Sequence, residues 1–267
     1  MTAGRLDSLV AAARDRISQL RSNVRRLEHE ALTAPTPRPF RVTPDDGSAG
    51  VIAEVKRRSP SAGAIREALD VVDHALAYQE SGAVAVSVLT EADWFGGSVE
   101  DLRRVSQAVD LPVLRKDFIV DELQVIEARA AGAAAVLLIA RILTPERMAA
   151  LARAARELGL ATLIEVHTIV ELDAALAAGG SLVGVNSRDL DDFTVDLATA
   201  ERLLPRVPSH VVAVAESGIE TREDVVRLAA AGADAVLVGT ALARLGDPRA
   251  AVRSLRGVPR RARRQVP

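Results

Sequence analysis

Charged side chains stand at the carboxyl ends of several predicted strands. In the first of these, VIAEVK, Glu54 and Lys56 are two residues apart. Because side chains alternate across a strand, these two point to the same side. Burying an isolated charge costs free energy, so a set of charges at one end of a sheet predicts that they form a joint site. Neighbouring lysine and glutamate side chains of such a site suit acid–base chemistry on an anionic substrate. The other strand ends add Lys116, Glu165, Asn186, Arg188 and Glu216. Each residue alone could instead form a structural ion pair.

A second group of residues follows the last two predicted strands. Ser217 and Gly218 lie in AESGI, and Gly239 and Thr240 open a helix in LVGTALAR. Glycine lets a backbone approach a ligand closely, and a helix N-terminus presents free N–H groups to an anion. Gly-Thr alone would be a weak signal, but together the two segments predict a phosphate-binding site. The substrate is therefore expected to be a small phosphorylated molecule.

The elements that position these residues alternate regularly between strand and helix. Several helical segments end in glycine immediately before an apolar strand, as in AAGAAAV and AAGADAV. Strands that are apolar on both faces are typical of a parallel sheet covered by helices. Eight such units predict an α/β fold, a (β/α)₈ TIM barrel. The alternative, an open doubly wound sheet, would usually carry a G-x-G-x-x-G turn after its first strand, and none is present there. The predicted strands are residues 51–56, 84–90, 112–118, 133–140, 161–166, 182–187, 211–217 and 234–240.

The barrel is predicted to carry an N-terminal amphipathic helical extension. Residues 6–32 have apolar side chains at helical spacing and read as one helix, and a Pro- and Gly-rich linker follows. We expect one domain overall, with the extension and linker at 1–48, the barrel at 49–256 and a basic, frayed C-terminal tail at 257–267. His167 is expected to be a solvated loop residue.

Composition excludes several classes of function. The 267 residues carry a net charge of −2, no cysteine and only four histidines, widely spaced. Disulfides and thiolate nucleophiles are excluded, and a histidine metal cluster is not expected. Nucleic acid and membrane are not expected as partners. Without a signal-peptide pattern, a soluble cytoplasmic protein is expected.

The motifs resemble those of the indole-3-glycerol phosphate synthase family of tryptophan biosynthesis. The similarity runs from about Val51 to Arg244 and rests on IAEVKRRSPS, SVLTEADWFGGS, PVLRKDF, LIEVH, GVNSRDL, AESGI and GADAVLVGTAL. It implies a lyase that converts 1-(2-carboxyphenylamino)-1-deoxyribulose 5-phosphate to indole-3-glycerol phosphate, with loss of CO₂ and water. It also implies that no cofactor or metal is needed and that the N-terminal extension contributes to the substrate site.

The resemblance implies a role for each matching residue. Lys116 would be the general acid that protonates the substrate carbonyl. Lys56 would bind the substrate carboxylate and could donate a proton during dehydration, with Glu54 orienting it or sharing that transfer. Glu165 would be the base or the electrostatic partner of a cationic intermediate. The division of proton transfers among these four residues stays open.

The remaining implied roles concern substrate binding. The anthranilate part would be positioned by Asn186 and Arg188, and Glu216 would hold that network. The phosphate would be bound by Ser59, Ser217, Gly218, Gly239 and Thr240. The apolar slot for the aromatic ring would be lined by Phe95, Phe118, Leu137 and Leu190.

Two other functions are compatible with the residues. One is a different lyase, such as a Schiff-base aldolase using Lys116 or Lys56 as the nucleophile. The other is a noncatalytic barrel that binds a phosphometabolite or a partner. A monomer is expected, with a homodimer as the alternative.

Overall fold

The computed structural model describes residues 5–59, 63–64, 69–180 and 182–263. Its strands are β1 Gly50–Val55, β2 Arg58–Ser59, β3 Gly63–Ala64, β4 Ala85–Leu89, β5 Val113–Lys116, β6 Ala135–Ile139, β7 Ala161–Val166, β8 Leu182–Asn186, β9 Val212–Glu216 and β10 Ala235–Val238. Its helices are α1 Arg5–Arg21, α2 Val24–Thr33, α3 Val71–Glu80, α4 Val99–Ala108, α5 Glu122–Ala130, α6 Pro145–Glu157, α7 Ile169–Ala177, α8 Leu197–Leu203, α9 Arg222–Ala231, α10 Thr240–Arg244 and α11 Pro248–Leu255.

Eight parallel strands form a closed barrel. Neighbours in the sheet follow the order β1-β4-β5-β6-β7-β8-β9-β10, and β10 pairs with β1 to close the ring. Strands β2 and β3 form a separate small antiparallel pair after β1. The predicted TIM barrel is therefore confirmed, and each predicted barrel strand lies within about two residues of its observed bounds. Among the described residues, no helix is long and apolar enough to cross a bilayer.

The apolar residues divide between two cores because the strands are buried on both faces. The outward-facing side chains pack against the surrounding helices. The inward-facing ones fill the barrel, as expected for layered side chains in this fold. This inner core contains Ile52, Ala85, Leu114, Ala135, Leu137, Leu163, Val214, Ala235 and Leu237.

The N-terminal extension forms two helices, so the prediction of a single helix was wrong. The chain breaks at Ser22 and Asn23, where the Ser22 hydroxyl donates to the Gln19 carbonyl at 2.7 Å and the Asn23 amide donates to the same oxygen at 3.4 Å. Such local side-chain bonds compete with the helical ladder. Helix α1 contributes Leu6 and Leu9 to the inner core, and α2 packs along α5.

The C-terminal tail is packed as far as the structure describes it, so the prediction of a frayed end was wrong for 257–263. The Ala49 amide donates to the Val258 carbonyl at 2.8 Å, and the Arg260 amide donates to Gly47 at 3.0 Å. The Arg263 side chain is 4% exposed and pairs with Asp234 at 2.8 Å. The tail therefore fastens the amino ends of the last strands to the segment before β1.

Candidate functional site

Strand alternation places the predicted catalytic residues on the inner face of the barrel. Each lies two positions after an inner-core residue of the same strand: Leu114 precedes Lys116, Leu163 precedes Glu165 and Val214 precedes Glu216. The same spacing relates Ile52 to Glu54. Sheet register completes the layer, because Asn186 pairs with Glu216. The five strand ends therefore bring their polar side chains together in one layer at the carboxyl end of the barrel.

Lys116 lies between two buried carboxylates. Its Nζ is 3.2 Å from Glu165 Oε2 and 3.3 Å from Glu216 Oε2. Burial lowers the pKa of Lys116, but the charges of Glu165 and Glu216 outweigh it and raise that pKa above its ordinary value. Lys116 is therefore an ammonium at neutral pH.

The two carboxylates beside Lys116 differ in their affinity for protons. Burial favours protonation of both, but Lys116 and His167 hold the pKa of Glu165 below its ordinary value. At Glu216, burial and the negative charge of Glu165 outweigh the attraction of Lys116 and raise the pKa to about 7. At neutral pH the cluster thus combines an ionised carboxylate with one that readily holds a proton.

Glu54 and Lys56 form a second ion pair in the same cavity. Lys56 Nζ lies 2.6 Å from Glu54 Oε1, with 14% and 2% of the two side chains exposed. Gly239 makes room for this pair: a Cβ at that position would lie 2.2 Å from Glu54 Oε1. Gly184 does the same for Glu216, whose Oε1 would lie 2.0 Å from such a Cβ. Both glycines therefore make room for buried carboxylates of the candidate site, a role that the sequence did not reveal.

Arg188 provides a positive charge beside these groups. Its backbone N–H donates to Asn186 Oδ1 at 2.9 Å, and its guanidinium donates to the Phe193 carbonyl at 2.8 Å. Burial lowers the pKa of Arg188, which still remains a cation. Within the described residues, no carboxylate lies within ion-pair distance of it. The guanidinium is therefore available to an anionic ligand.

An apolar cleft of about 770 Å³ opens above the charged layer. Its walls include the four predicted residues Phe95, Phe118, Leu137 and Leu190. The rings of Phe95 and Phe118 lie 6.5 Å apart and tilted, an arrangement that suits a flat aromatic ligand. The sequence interpretation missed further lining residues: Leu6, Leu9 and Phe193. The apolar stripe of α1 was the available signal for the first two, whereas nothing in the sequence marks Phe193.

A second cavity of about 1040 Å³ adjoins the first at Glu54, Lys56 and Lys116. Its walls include Ser217, Gly218, Gly239 and Thr240 of the predicted phosphate site, and Arg244, which the sequence interpretation missed. Ser217 and Gly218 have φ values of 66° and 75°. Consecutive residues of this conformation can point N–H groups into a concavity that suits an anion. The Ser59 side chain lies outside the described residues.

His167 is buried, so the prediction of a solvated loop histidine was wrong. Its side chain is 7% exposed and lies between Glu165 and Glu171.

Among the described residues, no group of three or more His, Cys, Asp or Glu side chains could hold a metal ion. The chain's only two lysines, Lys56 and Lys116, both lie in the site.

Comparison with known proteins agrees with this geometry. Among solved structures, the thiamine phosphate pyrophosphorylase of Pyrococcus furiosus aligns with a TM-score of 0.59 over 78% of this chain and 93% of its own, at 19% identity, which supports the barrel fold alone. Sequence relatives are closer. The indole-3-glycerol phosphate synthase of Nocardioides is 48% identical over 95% of this chain and 98% of its own. That of Mycolicibacterium smegmatis is 45% identical over 94% and 93%.

A third relative, from Kineococcus radiotolerans, is 54% identical over 77% of this chain and 75% of its own, and is likewise an indole-3-glycerol phosphate synthase. The family model for indole-3-glycerol phosphate synthase matches residues 6–255, which include α1 and all eight barrel strands. The chain belongs to the indole-3-glycerol phosphate synthase family.

Proposed function

We propose that Lys116 is the general acid of a ring-closing decarboxylation at this site. The substrate would be 1-(2-carboxyphenylamino)-1-deoxyribulose 5-phosphate, and the products indole-3-glycerol phosphate, CO₂ and water. The observation that carries the proposal is the position of the Lys116 ammonium, between Glu165 and Glu216, at the junction of the apolar cleft and the second cavity.

The two cavities suit the two ends of this substrate. The aromatic ring lies in the cleft beside Phe95, Phe118, Leu137 and Leu190, and the phosphate lies at Ser217, Gly218, Gly239 and Thr240, with Ser59 as a further candidate. Lys56 binds the carboxylate of the ring, and Arg188, held by Asn186, supplies a second cation. The ketose carbonyl then lies beside Lys116, because the cavities meet there.

The proposed reaction has three stages. The ring carbon that bears the carboxylate attacks the ketose carbonyl carbon, and Lys116 protonates the carbonyl oxygen. The C–C bond to the carboxylate breaks, CO₂ leaves and the ring regains aromaticity. The new hydroxyl group then departs as water, with Lys56 as the proton donor and Glu54 orienting it. Glu165 stabilises the cation that remains and accepts the ring C–H proton whose loss gives the indole.

The charge state of Lys116 favours this reaction over a Schiff-base aldolase. An amine nucleophile must be unprotonated, which requires a depressed pKa. Here two carboxylates hold the pKa of Lys116 above its ordinary value. As positive charge develops on the substrate, the ionised Glu165 interacts with it instead, and Lys116 can release its proton.

One assay tests the proposal directly. The substrate is added to the purified protein and indole fluorescence is followed. We expect turnover by the native protein and loss of turnover in Lys116→Met, which keeps side-chain volume but has no proton to donate, with binding of a product analogue retained. Native turnover that survives in Lys116→Met would refute the general-acid role. Trapping of an imine by borohydride would favour the aldolase.

We propose further that residues 1–48 and 49–256 act as one catalytic unit within a monomer, because α1 and the barrel of the same chain line the cleft. Light scattering after size exclusion tests the monomer against a homodimer. The cytoplasmic location stays a prediction from the sequence.

A further inference from the structure

His167 has a defined environment that the proposed reaction leaves unused. It follows β7 directly, and Glu171 Oε2 accepts its backbone N–H at 2.6 Å and lies 3.3 Å from its Nδ1. Its Nε2 is 3.6 Å from Glu165 Oε1. The ring therefore lies between a carboxylate of α7 and the oxygen of Glu165 that points away from Lys116.

Two facing atoms in this arrangement lack hydrogen bonds. Glu165 Oε1 and His167 Nε2 are both buried, and neither has a hydrogen-bond partner among the described residues. A separation of 3.6 Å is longer than a hydrogen bond. A side-chain movement of less than about 1 Å would bring the two atoms within hydrogen-bond distance. Such a bond would satisfy both atoms at once, since each is otherwise left desolvated and unpaired.

The hydrogen-bond pattern determines the charge of the ring. A carboxylate oxygen accepts only, so Nδ1 must carry a proton to bond to Glu171, and Nε2 must carry one to bond to Glu165. A ring with both protons is an imidazolium. We infer that His167, as an imidazolium held by Glu171, is a positioning residue that fixes the Glu165 carboxylate with Oε2 toward Lys116, and that turnover falls when this ring loses its proton.

The charged groups around His167 support this state. Burial and Arg141, which follows β6, lower the pKa of His167. The hydrogen bond that the ring donates to Glu171 and the charges of Glu165 and Glu171 outweigh them, so that the pKa of His167 lies above its ordinary value of 6.5. The folded protein therefore keeps the imidazolium to a higher pH than a free imidazole does, and loses it as the pH rises through this raised pKa. The inference rests on the proposed role of Glu165 as an ionised carboxylate.

Two substitutions separate positioning from packing. In His167→Gln the side-chain amide reaches about as far as Nε2 and can donate to Glu165, but it does not titrate. In His167→Asn the shorter amide can reach Glu171 only. We expect His167→Asn to lower kcat about ten- to hundredfold with KM changed less than about twofold. His167→Gln should recover most of kcat, and its kcat profile should lack the alkaline limb of the native protein.

The control and a second measurement keep the test decisive. His210→Asn changes an exposed histidine far along the chain and should leave kcat and its pH profile unchanged. In NMR titrations of the native protein, the histidine signal missing from His167→Gln should titrate above 6.5, and Glu165→Gln should lower its midpoint. This readout does not depend on the variants being active.

Several results would overturn the inference. One is a His167→Asn variant whose kcat stays within twofold of the native value and still falls at alkaline pH as it does in the native protein. Another is an equal loss of kcat in the Asn and Gln variants, which would indicate packing only. A His167 midpoint unaffected by Glu165→Gln would have the same force. Absence of turnover in the native protein would instead refute the proposed function.

Discussion

At the scale of single residues, Lys116 contacts two glutamates, Glu165 and Glu216, whose pKa values are shifted in opposite directions. Both carboxylates are buried, and two close acids do not ionise together without a large cost. Glu165 also faces His167 and so keeps its charge, whereas Glu216 has a pKa of about 7. The site can therefore hold or release one proton near neutral pH without losing the Lys116 ion pair to Glu165.

The pH dependence of kcat/KM tests the assignment of that proton to Glu216. The raised pKa means that Glu216 gains its negative charge as the pH rises through about 7. The added charge repels an anionic substrate, so kcat/KM of the free enzyme should fall above this pH. In the His167→Gln background, which removes the alkaline fall due to His167, Glu216→Gln should lack this limb, whereas Glu223→Gln, an exposed change on α9, should keep it. A limb that persists in Glu216→Gln would assign the ionisation to another group.

The candidate site also requires a residue without a side chain at Gly239, beside the Glu54 carboxylate. Gly239→Ala would place a Cβ 2.2 Å from Glu54 Oε1, so the Glu54–Lys56 pair must shift. Because catalytic groups act only within a narrow geometry, we expect kcat to fall about tenfold or more. Gly246→Ala is the matched control, since no atom lies within 4 Å of its added Cβ. Equal kcat in the two variants, measured by the fluorescence assay, would disprove this role of Gly239.

At the scale of elements, an ion network attaches α1 to the strand that carries Lys116. Asp117 follows β5, is fully buried, and lies 2.9 Å from the Nη2 atoms of both Arg16 and Arg115. Burial raises the pKa of Asp117, but these two arginines lower it to about 2. The Thr90 hydroxyl donates to the same carboxylate at 2.6 Å. The helix that brings Leu6 and Leu9 to the cleft is therefore fixed to the catalytic layer.

Removing this attachment should affect substrate binding more than chemistry. Arg16→Met keeps the apolar stem of the side chain but loses the ion pair to Asp117. We expect KM to rise about five- to tenfold, because Leu6 and Leu9 would cover the bound ring less well. The matched change Arg14→Met, on an exposed position of the same helix, should leave KM within about twofold. A larger effect on kcat than on KM in Arg16→Met would contradict this interpretation.

These elements indicate what the sequence could reveal. The period of two within a strand is local, so Glu54, Lys56, Lys116, Glu165 and Glu216 could be assigned to the inner face before the structure was seen. The room at Gly184 and at Gly239 and the Arg16–Asp117 pair depend on how separate elements pack together. No local pattern encodes those distances. The restriction of lysine to positions 56 and 116 can be read from the sequence alone.

At the scale of the whole molecule, the candidate site and the contacts that hold the C-terminal tail lie at opposite ends of the barrel. The reactive side chains lie at the carboxyl ends of the strands, and the tail is fastened at the amino ends. Arg263 donates to the carbonyls of Val207 and Val211 at 3.1 Å and 2.5 Å and pairs with Asp234. These contacts join the start of β9 and β10 to the tail, on the opposite side of the molecule from Lys116.

A substitution at Arg263 should therefore lower the stability of the protein without changing its kcat. Among the described residues, Arg263→Ala leaves Arg260, at 3.4 Å, as the only cation paired with Asp234, and it deprives the Val207 and Val211 carbonyls of their donor. Breaking this partly buried ion pair and leaving the carbonyls without their donor is expected to lower the free energy of unfolding by about 1 to 3 kcal/mol. The kcat of the folded protein should stay within about twofold, because no site residue contacts the part of the tail that the structure describes. Urea unfolding and the fluorescence assay measure the two effects, with exposed Arg261→Ala as the control. Equal stability of the two variants would show that the tail does not close the barrel, and a parallel loss of kcat in Arg263→Ala would show that its two ends are coupled.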